Sequence, residues 1–108
     1  MTLEETRKIY ESICSSKWDV LVDQLTKSAV QYARIRVDYK LATPEERREM
    51  EDTRTLAHNA FIDSCNILSR NMYKAGEDNT WWGWIGDDRK AIGDFACYLH
   101  CLLGILAR

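Results

Sequence analysis

The fold is decided by residues 43–76, which read TPEERREMEDTRTLAHNAFIDSCNILSRNMYKAG. Thr43 and Glu46 have the spacing of a capping box, in which each side chain satisfies a free backbone amide at the start of a helix. The proline between them occupies the first helical position, where a missing N–H is harmless. Gly76 can adopt the left-handed conformation that ends a helix. Because apolar side chains recur at helical spacing between these signals, the stretch predicts one long helix over residues 44–75.

Comparable start signals divide the rest of the chain. They are Thr2 with Glu5, Ser16 with Asp19, and Asp87 with Asp88 after Gly86. In the first two, a hydroxyl and an acid three residues apart suit a capping box; in the third, the acids favour the positive end of the helix dipole. We therefore expect helices over residues 3–14, 17–40 and 87–107, with an aromatic loop over residues 76–86 before the last of them.

The predicted elements define the fold class. No segment of useful length alternates between polar and apolar residues with period two, which is the pattern of a half-buried strand. The turn between the second helix and the long one is short, so we expect these two helices to pack as antiparallel neighbours. The chain has 108 residues, the size of one domain. The sequence therefore predicts an all-α fold, a small up-and-down helical bundle of about four helices with one of them long, in a single domain over residues 1–108.

The composition restricts the partners and the compartment. The 15 Lys and Arg residues against 17 Asp and Glu residues leave a formal net charge of −2, too balanced for the basic surface of a non-specific nucleic-acid binder. The N-terminus lacks the basic start and apolar run of a secretory signal. The most apolar stretch, residues 95–106, is much shorter than the roughly 20 residues of a bilayer crossing. The four cysteines lie mostly inside helical patterns, which is typical of reduced thiols. We expect a cytoplasmic protein without membrane contact and without a cofactor.

The last helix is apolar on more than one face. One face carries Ile92, Phe95, Ala96, Leu99, Leu103 and Leu106, and the opposite face carries Tyr98, Cys101 and Ile105. A helix that is apolar all round is surrounded by protein, and a short chain has few elements to cover it. We therefore predict a twofold homodimer with Tyr98, Cys101 and Ile105 at its interface. The alternative is a compact monomer whose first helix covers that face.

A third strip of the same helix consists of Gly93, Cys97, His100 and Gly104. Small residues at this spacing let another backbone approach closely. The strip predicts tight helix packing with His100 at its edge, and a shallow groove floored by glycine is the alternative.

The segment of residues 78–86, DNTWWGWIG, holds three of the four tryptophans. Tryptophan offers a large rigid face and is enriched at binding hot spots, yet exposure of all three would invite aggregation. We expect one or two of them to plug the end of the bundle and one to face a ligand or protein. An amide-rich face of the long helix can hydrogen-bond to the same partner. The predicted interaction surface comprises Asn59, Asp63, Asn66, Arg70, Trp81, Trp82, Trp84 and Arg89.

These features predict a small intracellular protein-interaction module with no catalytic activity of its own, in a regulatory or mobile-element-associated role. The identity of its protein partner is not encoded in the pattern. One alternative is a small helical enzyme or ligand-binding protein that uses His58, Asp63 and Asp94 for proton transfer. Another is a nucleic-acid-associated protein, in which bases stack on the Trp81–Trp84 segment and phosphates meet the basic side chains that follow it. The balanced charge makes nucleic acid the less favoured partner.

A metal site is a further alternative. Cys97 and His100 are one turn apart on the last helix, and His58 and Cys65 are two turns apart on the long helix. If the flanks of the two helices face each other, these four side chains could converge on a tetrahedral ion. Buried free cysteine, however, is common as a small hydrophobe.

Two stretches carry a resemblance to a known group of proteins. Residues 57–70, AHNAFIDSCNILSR, and residues 86–98, GDDRKAIGDFACY, resemble the C-terminal half of small bacterial helical proteins catalogued as a domain of unknown function. The resemblance covers residues 54–108. It implies a bacterial, or bacterial mobile-element, intracellular protein, and it supplies no catalytic residues.

Overall fold

The computed structural model describes residues 1–14 and 16–107, and of Ser16 it describes the backbone only. Its elements are α1 (Leu3–Ile13), a 3₁₀ turn (Ser16–Trp18), α2 (Asp19–Leu41), α3 (Pro44–Lys74), α4 (Thr80–Gly86) and α5 (Arg89–Leu106). The predicted all-α class is confirmed, since no strand occurs within these ranges. The predicted number of about four helices is too low by one, because most of the expected aromatic loop is the helix α4.

The ends of α3 follow the local signals in the sequence. Thr43 and Glu46 form the complete capping box, and these hydrogen bonds from Thr43 lower the pKa of the Glu46 carboxyl. At the other end, Gly76 has a φ of +76°. The Glu77 N–H donates to the Met72 carbonyl at 2.9 Å, which closes the last turn in a Schellman arrangement. Both boundaries of the long helix are thus set by short-range hydrogen bonds.

The start of α2 differs from the prediction. The helix begins at Asp19 after the 3₁₀ turn, and its N-cap residue is Trp18, which makes no capping hydrogen bond with its side chain. The predicted capping role of Ser16 concerns a side chain outside the described part of the chain. The Trp18 indole N–H instead donates to the Glu77 carboxylate at 2.5 Å, so tertiary contact with the end of α3 holds this corner.

Helices α2 and α3 form an antiparallel hairpin through the connection at residues 42–43. Ser28 Oγ lies 3.3 Å from Ser64 Oγ, and the Tyr39 hydroxyl donates to the Glu51 carboxylate at 2.7 Å. Arg47 donates to the carbonyls of Tyr39 at 2.9 Å and Lys40 at 3.1 Å, which supplies side-chain donors to the carbonyls at the end of α2. The molecule is 47 Å long, about the length of a 31-residue helix at about 1.5 Å per residue. The tip of this hairpin therefore extends beyond the rest of the bundle.

One hydrophobic core takes residues from all five α-helices. Its centre is the pair of fully buried rings of Phe61 and Phe95, whose centroids are 5.8 Å apart. Leu25 of α2 and Leu99 of α5 are also fully buried, and α1 packs against α5. Burying an aliphatic side chain of this size contributes about 1.5–3 kcal/mol, so this shared core is the main force that holds the five helices together.

Candidate functional site

The three tryptophans of α4 have different environments. Trp81 is 8% exposed, and its ring centroid lies 6.1 Å from that of Phe95. Trp82 is half-buried, and its indole N–H donates to Asn66 Oδ1 at 2.6 Å. Trp84 is 52% exposed. This matches the expected division, in which some tryptophans close the bundle and one stays accessible.

Hydrogen bonds to its N-terminal flank fix α4 in place. The side-chain amide of Asn79 donates to the Ser69 carbonyl at 3.1 Å and to Ser69 Oγ at 2.9 Å. Asp78 Oδ1 accepts from the backbone N–H of Thr80 at 2.9 Å and from its hydroxyl at 2.8 Å. These two bonds lower the pKa of the Asp78 carboxyl. Trp84 therefore lies on a helix, α4, that hydrogen bonds attach to α3.

An open groove lies between α1 and α4, and we call it the α1–α4 groove. Its volume is about 780 Å³. Its apolar lining consists of Ile9, Met72, Trp81 and Trp84, and its polar lining consists of Glu5, Lys8, Ser12, Glu77, Asp78 and Thr80. Three carboxylates against one ammonium group make the rim acidic. The indole N–H of Trp81 is buried and has no hydrogen-bond partner within residues 1–14 and 16–107.

A second cleft, which we call the arginine cleft, lies where α2, α3 and the start of α5 meet. Its volume is about 350 Å³. It is lined by Tyr32, Arg36, Arg54, Thr55, His58, Asn59, Arg89 and Lys90. No carboxylate is among these residues, and none of the four cations is in a salt bridge with any described residue. The cleft is therefore a concentration of positive charge on a chain whose net charge is −2.

Aromatic rings and a glycine hold the two central arginines. The Arg36 guanidinium lies 5.9 Å from the centroid of the Tyr32 ring, and its Nη1 is 3.8 Å from Cys97 Sγ. It occupies the space beside Gly93, where an added Cβ would collide with Nη1. The Arg54 guanidinium lies 4.6 Å from the centroid of the Tyr39 ring. Cation–π contacts of this kind orient a guanidinium without neutralising its charge.

The glycine strip of α5 therefore has a different role from the predicted one. Gly93 admits the side chain of Arg36 rather than a helix backbone, and a methyl group added at Gly104 would meet no atom of another described element within 4 Å. His100 lines a shallow apolar depression with Ala33 and Cys97. The expectation of tight helix packing along the whole strip is wrong, because the long side chain of Arg36 fills the space at its first residue.

The predicted interaction surface is divided between several environments. Trp81 belongs to the core, and the side chains of Trp82 and Asn66 form a hydrogen bond with each other. Trp84 lines the α1–α4 groove, whereas Asn59 and Arg89 line the arginine cleft. Asp63 and Arg70 are exposed on α3. The eight residues therefore do not form the single surface that the prediction supposed.

The predicted metal ligands are not brought together. Cys65 is fully buried in the core, and burial raises the pKa of its thiol. The His58 ring packs edge-on against Tyr32 at a centroid distance of 5.3 Å, and Cys97 contacts Arg36. In the described part of the chain, no group of three or more His, Cys, Asp or Glu side chains is placed to hold a metal ion. The assumed facing of the helix flanks is wrong because Cys65 points into the core.

The residues of the enzymatic alternative are also separate. His58 lines the arginine cleft, and neither Asp63 nor Asp94 is part of that lining. Asp63 is exposed on α3, and Asp94 is half-buried on α5. The nucleic-acid alternative meets a similar obstacle, because Trp84 lines an acid-rimmed groove whereas Arg89 and Lys90 line the other cleft.

The predicted dimer face lies on the outer side of α5. Tyr98 is half-buried and Cys101 is exposed, and Ile105 is 42% exposed. Helix α1 packs against α5, Tyr10 and Leu102 line a small crevice between them, and Cys101 and Ile105 stay accessible. The homodimer stays a prediction.

The arginine cleft was not predicted from the sequence. Arg54 offered the one usable signal, since it lies on the apolar side of α3, where a charged group needs a partner. Its partner, Tyr39, is on another helix, and so is Arg36. These side chains meet only because the helices pack together, so no local spacing in the sequence indicates the cleft.

Two further observations concern the whole chain. Within residues 1–14 and 16–107, no helix has both the length and the apolar character needed to cross a bilayer. No protein-family model, curated protein or solved structure matches the sequence. The resemblance of residues 54–108 to small bacterial helical proteins therefore stays a prediction.

Proposed function

We propose that the protein is a non-catalytic protein-interaction module whose contact surface is the α1–α4 groove. The observation that carries this proposal is the half-exposed ring of Trp84 beside an apolar groove of about 780 Å³. Leaving a large aromatic ring in water gives up part of the free energy that its burial would contribute. A partner that covers the ring recovers this free energy.

The chemistry of the groove defines the partner. Its floor is apolar, with Ile9 and Met72 beside the two indole rings, and its rim has an excess of carboxylates. An amphipathic helix places apolar side chains in such a groove at helical spacing. Basic residues flanking those anchors complement the acidic rim and increase the rate of association. The proposed partner is therefore a protein segment with apolar anchors and lysine or arginine flanks.

A pair of peptides tests this proposal. One is a dye-labelled amphipathic helix built from leucine and lysine, and the other has glutamate in place of each lysine. We expect the basic peptide to bind in fluorescence anisotropy and the acidic peptide to bind much more weakly. Trp84→Ala should weaken the basic peptide's affinity by about tenfold or more, as for a tryptophan hot spot.

The matched control is Tyr73→Ala, which removes an aromatic ring that is 74% exposed and does not line the groove. This variant should bind like the wild type, and circular dichroism should show unchanged helicity in both variants. Equal binding of the two peptides, or wild-type affinity in the Trp84 variant, would contradict the proposal.

We further propose that two copies associate through the outer side of α5, and that the protein works in a bacterial cytoplasm. The first part rests on the exposed side chains of Cys101 and Ile105 beside the half-buried Tyr98, which a second copy would cover. For the second, the bacterial source rests on the resemblance of residues 54–108, and the cytoplasm rests on the cysteines, all of which are free thiols, as is usual in a reducing compartment.

A further inference from the structure

We propose that the arginine cleft binds a small phosphate-bearing anion, at a site separate from the α1–α4 groove. Arg36, Arg54, Arg89 and Lys90 line the same 350 Å³ cleft without a carboxylate among its lining residues. Arginine guanidinium groups match the oxygens of phosphate in paired hydrogen bonds. The proposed ligand is therefore a phosphate mono- or diester of low molecular mass, or a free di- or polyphosphate.

Repulsion between the cations favours an anionic ligand. Like charges at close range raise each other's energy, and a cleft with low-dielectric walls concentrates their field. Where opposite charges meet on the described surface they form local pairs, such as the 2.9 Å salt bridge of Lys27 with Asp23. The four cations of the cleft have no such partner among the described residues. A bound dianion would supply the missing countercharge.

Arg36 is held in position before any ligand binds. Its guanidinium rests in the space left by Gly93, beside the Tyr32 ring and Cys97. An ordered, half-buried donor loses less conformational entropy on binding than a free surface lysine does. The Arg36 guanidinium is therefore already oriented for a ligand, unlike the end of a flexible side chain on the surface.

Neutral donors and the size of the cleft narrow the ligand class. Thr55 and Asn59 lie in the lining and can hydrogen-bond to an ester or hydroxyl oxygen. The volume falls at the lower end of the roughly 300–1,000 Å³ of small-molecule sites. Because only four of the 15 Lys and Arg residues line this cleft and the chain has a net charge of −2, a small anion fits better than a nucleic-acid backbone.

The test is a calorimetric titration with inorganic phosphate and with pyrophosphate at low ionic strength. We expect saturable binding of pyrophosphate at one site per chain. Arg36→Gln and Arg54→Gln should each weaken it by about tenfold, the loss expected for a charge-assisted hydrogen bond. The matched control is Arg48→Gln, which removes the same charge from an exposed residue outside the cleft and should change the affinity little.

A pair of glycine variants tests the position of Arg36 without changing any charge. In Gly93→Ala, the new methyl would displace the guanidinium, and pyrophosphate affinity should fall about as much as in Arg36→Gln. In Gly104→Ala, on the same helix, the methyl meets no atom within 4 Å, and the affinity should be unchanged. Circular dichroism identifies any glycine variant that does not fold. If Gly93→Ala does not fold, the binding of pyrophosphate to Arg36→Gln and Arg54→Gln decides whether the proposal holds.

Three results would overturn the proposal. The first is that the wild type shows no saturable binding of pyrophosphate. The second is that Arg48→Gln loses as much pyrophosphate affinity as the cleft variants do. The third is that a single-stranded oligonucleotide without a terminal phosphate binds more tightly than pyrophosphate and displaces it. The last would assign the cleft to a nucleic-acid backbone. Trp84→Ala should bind pyrophosphate normally, so this proposal and the protein-interaction proposal can fail independently.

Discussion

Arg36 and Gly93 show how one residue can be explained only by another on a different helix. In the sequence, Gly93 belongs to a strip of small residues, and such strips predict close approach of a backbone. In the structure, the space above Gly93 is filled by the end of a long side chain. The sequence shows that a glycine leaves space beside the helix. Which group fills that space depends on the helix that packs opposite.

The bond between Asn66 and Trp82 gives a prediction at the same scale. In Asn66→Ala, the half-buried indole N–H of Trp82 loses its acceptor at 2.6 Å, and we expect a loss of about 1–3 kcal/mol in the free energy of unfolding. Urea denaturation measures this change. The control is Asp63→Ala, an exposed residue one turn earlier on α3, which should have little effect. Equal losses in the two variants would show that the bond is not stabilising.

At the scale of elements, α3 could be predicted and α4 could not. The ends of α3 depend on hydrogen bonds between residues a few positions apart, and these are visible as a motif. Helix α4 has only seven residues, fewer than an isolated helix needs for stability in water, and it contains Gly83 and Gly86. Its helicity depends on burial of Trp81 and Ile85 in the core, and this burial is a tertiary effect.

Two glycines should therefore respond oppositely to the same substitution. Gly76→Ala forces a residue with a side chain into a φ of +76°, and we expect it to lower the free energy of unfolding by about 1 kcal/mol. Gly83 lies inside α4 with no atom within 4 Å of an added Cβ. Gly83→Ala should raise stability by roughly 0.5–1 kcal/mol through helix propensity. Thermal unfolding compares them, and a destabilised Gly83 variant would argue against a helical α4.

For the whole molecule, the fold class was accessible from the sequence and the site was not. Period and capping identify helices one at a time, and the short turn at residues 42–43 leads to the α2–α3 hairpin. The lining of the arginine cleft comes from three helices, and no spacing along the chain records that they meet. The eight residues predicted as one surface belong to separate environments for the same reason.

The proposed dimer gives a prediction at this scale. Light scattering of the wild type should report the mass of two chains at high concentration. Ile105→Arg places a charge on the outer side of α5 and should give the mass of one chain, because burying an unpaired charge in an interface is strongly unfavourable. Leu56→Arg changes another exposed apolar residue on α3 and should leave the mass unchanged. A wild type with the mass of one chain at every concentration would refute the dimer.

The position of Cys65 allows the motion of the bundle to be timed. Cys14 is exposed and Cys65 is buried, so an alkylating reagent modifies Cys14 directly but reaches Cys65 only when the helices separate. After the accessible thiols are saturated, the slow uptake of a second, heavier reagent at Cys65, followed by peptide mass spectrometry, reports how often the native protein opens without any denaturant.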